Sequence, residues 1–303
     1  MLSYRFAAID IGSNAVRLLI SNVFEHEGKL TFKKQSLVRV PIRLGEEAFI
    51  HHTLSDEKIT DFLEAMHAFK HLLKVYKPLK VRALATSAFR EAENGVEVVD
   101  RVFRETGIRI EVITGREEAE VVYANGLRDN MDDNKSYLYM DVGGGSTELT
   151  LFMNHQPVLA KSFNVGSIRL LTDHIEGNAW EEMKEWVQTV GKKVPNQLSI
   201  IGSGGNINKY CKLLKREYGE PLLFEDIYHL YKKLKSMTPD ERIADLYLNP
   251  DRADVIVPAG KIFTSVMRWS NAKLAYVPKI GVSDGLIKML YHEHLNEMSS
   301  TKS

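Results

Sequence analysis

Residues 137–152, Tyr137-Leu138-Tyr139-Met140-Asp141-Val142-Gly143-Gly144-Gly145-Ser146-Thr147-Glu148-Leu149-Thr150-Leu151-Phe152, read as a strand, a glycine turn and a returning strand. Tyr137 to Met140 is a short apolar run, Asp141 to Ser146 sets an acid before three glycines, and Thr147 to Phe152 resumes the run. The same order occurs earlier. Phe6-Ala7-Ala8-Ile9-Asp10 is a buried strand stopped at Gly12-Ser13-Asn14, and Val16 to Val23 returns from it. Two hairpins of one design, each with an acid at the turn, predict an internal duplication. A third strand, Leu198 to Ile201, ends in Gly202-Ser203-Gly204-Gly205-Asn206 with a helix after it. A last strand, Lys273 to Val277, precedes Gly281-Val282-Ser283-Asp284-Gly285 and a closing helix.

Between the hairpins, strands and helices alternate. Ile59, Phe62, Met66, Phe69, Leu73 and Tyr76 recur three or four apart behind Ser55 and two acids, which predicts a capped amphipathic helix. Val81 to Ala85 reads as a strand, Val96 to Thr106 as a helix stopped by Gly107, and Ile108 to Ile113 as a strand. That strand runs into the helix opened by Thr114-Gly115-Arg116-Glu117-Glu118. Thr238-Pro239-Asp240-Glu241 announces another helix, with a capping residue and proline at the first helical position. The pattern restarts near 126–135, so two α/β lobes are expected, 1–128 and 129–303, with the last helix packing back on the first lobe.

Basic and acidic residues balance at 40 each in 303 residues, which removes the global positive charge that draws a protein to DNA or anionic membrane. No apolar run is long enough to span a bilayer, and the first residues lack a signal-peptide pattern. A cytoplasmic protein without DNA or membrane partners is therefore expected. The single cysteine, Cys211, can form neither an internal disulfide nor a multi-cysteine metal site. It reads as a small buried hydrophobe, and His51, His52 and His71 lack ligand spacing.

Glycine turns let backbone N–H groups approach an oxyanion, because no Cβ stands in the way. An acid beside such a cradle would repel phosphate unless a hard cation or a water lay between them. A single turn of this kind is as readily a plain tight turn. Three after three strands favour convergence on one ligand between two lobes, a preferred place for a pocket.

Five segments resemble the motifs of the Ppx/GppA family, which contains exopolyphosphatases and guanosine pentaphosphate phosphohydrolases. They are Ala8 to Leu18, Ala85 to Asn94, Thr114 to Ala119, Asp141 to Glu148 and Asn249 to Asp254, in the family's order. The resemblance implies a duplicated actin-like ATPase fold, related to ribonuclease H, with an active-site cleft between lobes. It also implies hydrolysis of a terminal phosphoanhydride of inorganic polyphosphate or guanosine pentaphosphate, and it leaves the choice between them open. Mg²⁺ is the implied cofactor, with Mn²⁺ as an alternative, and a homodimer is an open expectation. Two other readings of the same fold stand beside it: an ATP-dependent small-molecule kinase, and a regulator that binds an alarmone or polyphosphate without turnover.

The resemblance places the catalytic acid on Glu118, which would orient or deprotonate the attacking water; on sequence alone Glu118 is better explained as a first-turn acid at a helix N-terminus, and the resemblance reverses that preference. It gives Asp141 and Glu148 to the metal, with Asp10 acting from the first lobe through water. Phosphate contacts fall to Gly12, Ser13, Asn14, Arg17, Arg90, Gly143, Gly144, Gly145, Ser146, Thr147, Gly204, Gly205 and Asn206. Arg17 and Arg90 carry the guanidinium forks that match phosphate geometry, with packing an equal reading for Arg17. Lys161, Arg169 and Lys209 are candidates for a cationic path by motif proximity alone, and the plain surface reading of each is the stronger. Asn206 and Ser283 stand where the family often has threonine and arginine, which puts substrate preference in question.

Overall fold

In this computed structural model the residues described are 2–124, 131–132, 135–194, 197–278 and 281–300. The first hairpin forms as expected but is longer. β1 (Leu2–Ile11) and β2 (Val16–His26) pair antiparallel, and β3 (Lys29–Val40) adds to β2. Then come α1 (Leu44–His51), α2 (Asp56–Tyr76), β4 (Lys80–Ala85), α3 (Ser87–Glu91), α4 (Gly95–Thr106), β5 (Ile110–Val112) and α5 (Gly115–Ala124). The helix α2 starts as its sequence requires: the Ser55 hydroxyl accepts from the Lys58 amide, and Phe62, Met66 and Phe69 are buried on one face. β4 and β5 lie parallel to β1, so the sheet runs β3-β2-β1-β4-β5.

The second half repeats this. β6 (Ser136–Val142), β7 (Thr147–Met153) and β8 (Gln156–Phe163) form an antiparallel meander, followed by α6 (Ser167–Leu171) and α7 (Ala179–Lys193). β9 (Leu198–Ser203) lies parallel to β6, and α8 (Gly205–Leu213), β10 (Pro221–Leu223) and α9 (Phe224–Ser236) follow it. α10 (Pro239–Leu246), α11 (Pro250–Ala253), α12 (Ile256–Trp269), β11 (Leu274–Tyr276) and α13 (Val282–Ser300) complete the order. The sheet reads β8-β7-β6-β9-β11 with β10 added antiparallel at the edge. Strand for strand this is the first sheet again, and the duplicated actin-like arrangement is the fold. α10 opens with the capping box its sequence announces, Thr238 and Glu241 each bonding the other's backbone amide.

The chain divides into two compact units, Met1–Asn125 with Gly281–Ser303, and Gly126–Ile280. The expected division at 128 and 129 falls outside the described residues. After Gly281 the chain rejoins the first unit, where α13 packs on α5 and β1, and Tyr291 sets its ring edge-on to Phe6. In the second unit Leu138, Met140, Leu149 and Leu151 meet Ile262, Phe263 and Val266 of α12 in one core. Cys211 is buried there, and burial raises its thiol pKa, so it has the character of an inert apolar residue. No helix among the described residues is long and apolar enough to cross a membrane.

Candidate active site

The two hairpin turns share one construction. The Gly12 amide donates to the Ala15 carbonyl at 3.2 Å, and the Gly143 amide donates to the Ser146 carbonyl at 2.9 Å. Behind each turn a helix start takes the turn's carbonyls. In the first unit Gly45 and Arg43 amides donate to the carbonyls of Ser13 and Asn14. In the second, the amides of Ser167 and Ile168 donate to Gly143 and Gly144, and buried Arg169 donates its Nε to Gly145 at 2.9 Å. The carbonyls of the glycine turn are thus held from one side. Among the described residues no acceptor takes the amides of Gly144, Gly145 and Ser146, an arrangement suited to an anion.

The two turns differ in the residue facing the acid. Both hairpins close on four-residue turns, so the acid and its cross-strand partner lie seven positions apart: Asp10 opposes Arg17, and Asp141 opposes Glu148. Side chains directly opposite in an antiparallel pair share a face and lie close together. In the first unit the guanidinium neutralises its acid, Arg17 Nη1 donating to Asp10 Oδ2 at 2.7 Å. In the second unit two carboxylates confront each other. Asp141 Oδ2 accepts from the Tyr139 hydroxyl at 3.1 Å, and Glu148, 3% exposed, accepts from the Ser162 hydroxyl at 3.0 Å. Ser203, in register with Asp141 on β9, is buried with a hydroxyl that finds no partner among the described residues.

This donor set fits a hard divalent cation: two carboxylates and a spare hydroxyl, all oxygen. No cluster of three or more histidines, cysteines or acids stands among the described residues. Mg²⁺ is commonly held by one or two carboxylates and keeps several waters or phosphate oxygens. Gly204 completes the wall. Its φ of +100° disfavours a side chain, and a Cβ there would stand 3.0 Å from Asp141 Oδ1. Beside it Arg252, from the Asn249 to Asp254 segment, donates to the Gly205 carbonyl, and Lys209 of α8 is close enough for desolvation, Lys212 and Arg252 to lower its pKa. Sequence reading assigned Arg252 no role and missed Tyr139 and Ser203; alternation along β6, which places Tyr139 and Asp141 on one face, was the signal available for Tyr139.

Other residues move from their expected places. Thr147 is fully buried, and its hydroxyl donates to the Val165 carbonyl at 2.5 Å. Arg169 is not part of a cationic path, since it has no exposure and acts as the brace of the glycine turn. Lys161 lies over the Phe163 ring and 3.8 Å from Glu182. The Ser13 hydroxyl bonds that of Ser87 at 2.8 Å, and Asn206 is buried in the first turn of α8. Arg90 donates to the Ile113 carbonyl at 2.7 Å, which holds it beside the start of α5. There Thr114 and Glu117 form a reciprocal cap, and Glu118 follows, half-buried. Ser283 is buried, and its neighbour Asp284 pairs with Lys34 at 2.7 Å.

A profile of the Ppx/GppA phosphatase family matches residues 23–294. The chain belongs to that family. Membership makes it a hydrolase of the phosphatase class. Exopolyphosphatase 2 of Mycobacterium tuberculosis is 28% identical over 280 residues, covering 83% of this chain and 86% of that protein. The bifunctional 3-dehydroquinate synthase/phosphatase of Fusobacterium nucleatum is 32% identical over 217 residues. Those residues are 66% of this chain and only 32% of that longer protein. Among solved structures, an exopolyphosphatase from Cytophaga hutchinsonii superposes with a TM-score of 0.80 at 23% identity, covering 95% of this chain and 98% of that one. At that identity the likeness establishes the Ppx/GppA fold for this chain.

Proposed function

We propose that this protein is a Mg²⁺-dependent phosphohydrolase that removes the terminal phosphate of inorganic polyphosphate. The observation that carries the proposal is the confrontation of Asp141 and Glu148 beside a glycine turn whose carbonyls are held from behind. Relatives named exopolyphosphatase support the choice of substrate. In this reading Gly144, Gly145 and Ser146 amides bind the phosphoryl oxygens, while Asp141 and Glu148 hold the cation, with Asp10 acting through water. Glu118 accepts a proton from the attacking water and aligns it. A bound Mg²⁺ would supply Lewis-acid charge on the phosphate oxygens. Arg17, with one guanidinium nitrogen committed to Asp10, retains other donors for phosphate.

Phosphate release measured with polyphosphates of several lengths, with guanosine pentaphosphate, and with ATP in the presence of small acceptors tests the reading. Turnover of polyphosphate is expected; ATP consumption that requires an acceptor would make the protein a kinase, and tight binding without release would make it a sensor.

The carboxylate pair carries its own prediction. Like charges directly opposite cost roughly 0.2–1 kcal/mol, which a bound cation would relieve. Mg²⁺ at about a hundred times its Kd should stabilise the wild type by about 2.7 kcal/mol and shift its Tm by several degrees. Neither Glu148→Gln nor Asp141→Asn should show that shift. A wild-type Tm unmoved by Mg²⁺ would remove the pair as a cation site.

A further inference from the structure

At the opposite end of the first sheet from the Gly12 turn, a cavity of about 480 Å³ opens where α2 and α4 end and β4 and β5 begin. Its floor is aliphatic, made by Leu73, Pro78, Val81 and Ile108. Its rim carries four cations, Lys70, Lys74, Lys77 and Arg109, and no carboxylate lines it. In a chain with zero net charge this is a local excess. Glu105, next in sequence to the lining residue Thr106, is already engaged by Arg101 and His67. Lys70 donates to the Glu105 carbonyl and Arg109 lies over the Phe103 ring, so both are fixed in place. Lys74 and Lys77 have no ion-pair partner among the described residues.

Cations at helix C-termini often only complement the macrodipole. Here two helix ends supply roughly half a negative charge each, about one charge against four. Most of the positive charge stays uncompensated. The volume suits a small molecule, and the floor offers contact to an apolar body rather than to bare inorganic anion. We propose that this cavity is a second ligand site of the first unit, for a phosphorylated small molecule of nucleotide size, its body against the aliphatic floor and its phosphates on the lysines. The site is independent of the reading of the glycine turns. The Gly12 turn follows Ile11, which pairs with Ala85 at the far end of β4, while Val81 stands at its start. Four residues of strand put about 13 Å between those levels.

Titration calorimetry of the full chain with adenosine triphosphate, inorganic triphosphate and inorganic phosphate as probes tests the proposal. Adenosine triphosphate should bind, and the surface double variant Lys74→Glu/Lys77→Glu should weaken it at least tenfold. Asp141→Asn should leave that binding unchanged, and the double variant should keep the wild-type rate of phosphate release. Charge-preserving Lys74→Arg/Lys77→Arg should retain binding. Binding unaffected by the charge reversal would overturn the proposal, as would a loss of inorganic triphosphate affinity on charge reversal equal to that of adenosine triphosphate, which would leave the floor without a role.

Discussion

Glu118→Gln is expected to lower kcat for phosphate release by about 10²–10⁴-fold, with little change in KM or in melting temperature. Two adjacent acids open α5, and the structure gives one of them, Glu117, to the helix cap. Glu117 is occupied: its Oε2 accepts from the Thr114 amide at 2.7 Å and the Thr114 hydroxyl at 2.8 Å. Those bonds, the backbone one first, hold its carboxyl below the usual carboxylate range. An acid committed to a cap serves poorly as a base, because its lone pairs are taken and its proton affinity is reduced. Glu118 is the next residue, half-buried and on another helix face. Glu117→Gln should mainly loosen the helix start. Because its folded pKa is depressed, the stability Glu117 contributes is present above the unfolded value and is lost as pH falls through the folded one. Steady-state rates and thermal melts of both variants decide the matter. A larger kinetic defect in Glu117→Gln than in Glu118→Gln would exchange the two assignments.

Gly166→Ala is expected to damage stability and catalysis together. A Cβ at this position would stand 2.1 Å from the Gly144 carbonyl oxygen, 2.3 Å from its carbon and 2.5 Å from the Gly145 carbon. All three are backbone atoms of the glycine turn, so no rotamer change relieves the clash. The turn or α6 must move by an ångström or more. Overpacking of this kind costs about 1–3 kcal/mol and sometimes more, and the rigid backbone places this case at the upper end. A shift of about 1 Å in groups that position a substrate can itself cost about 10²-fold in rate. The variant should therefore melt several degrees lower and lose most of its activity. Gly177→Ala, where nothing lies within 4 Å but φ is +53°, is the control: it strains the backbone locally, lowers Tm without touching the turn, and should retain its rate. Wild-type stability and turnover in Gly166→Ala would show that the turn is not braced by α6.

The glycine hairpins, the capped helix α2 and the capping box of α10 were legible because each is written in neighbouring residues. The cross-strand pairs were also within reach: a four-residue turn fixes the register, so Asp141 must face Glu148 and Asp10 must face Arg17. β3 and β8 left almost no trace. Both are edge strands, mostly exposed along their length, so neither carries the alternation of a half-buried strand. The inward bonds of Thr147 and Arg169 were hidden for a related reason. Only packing shows their hydroxyl and guanidinium turned to the Val165 and Gly145 carbonyls.

By itself, then, the sequence determined what local chemistry can encode: two acid-and-glycine turns, their register, and the start and stop of the long helices. The return of α13 to the first unit was already expected from the sequence; the burial of Arg169 behind the turn and the four cations gathered around one cavity were decided by tertiary structure. Each joins residues far apart in the chain, and such contacts are chosen by which surfaces exclude water together, a property no short segment holds alone.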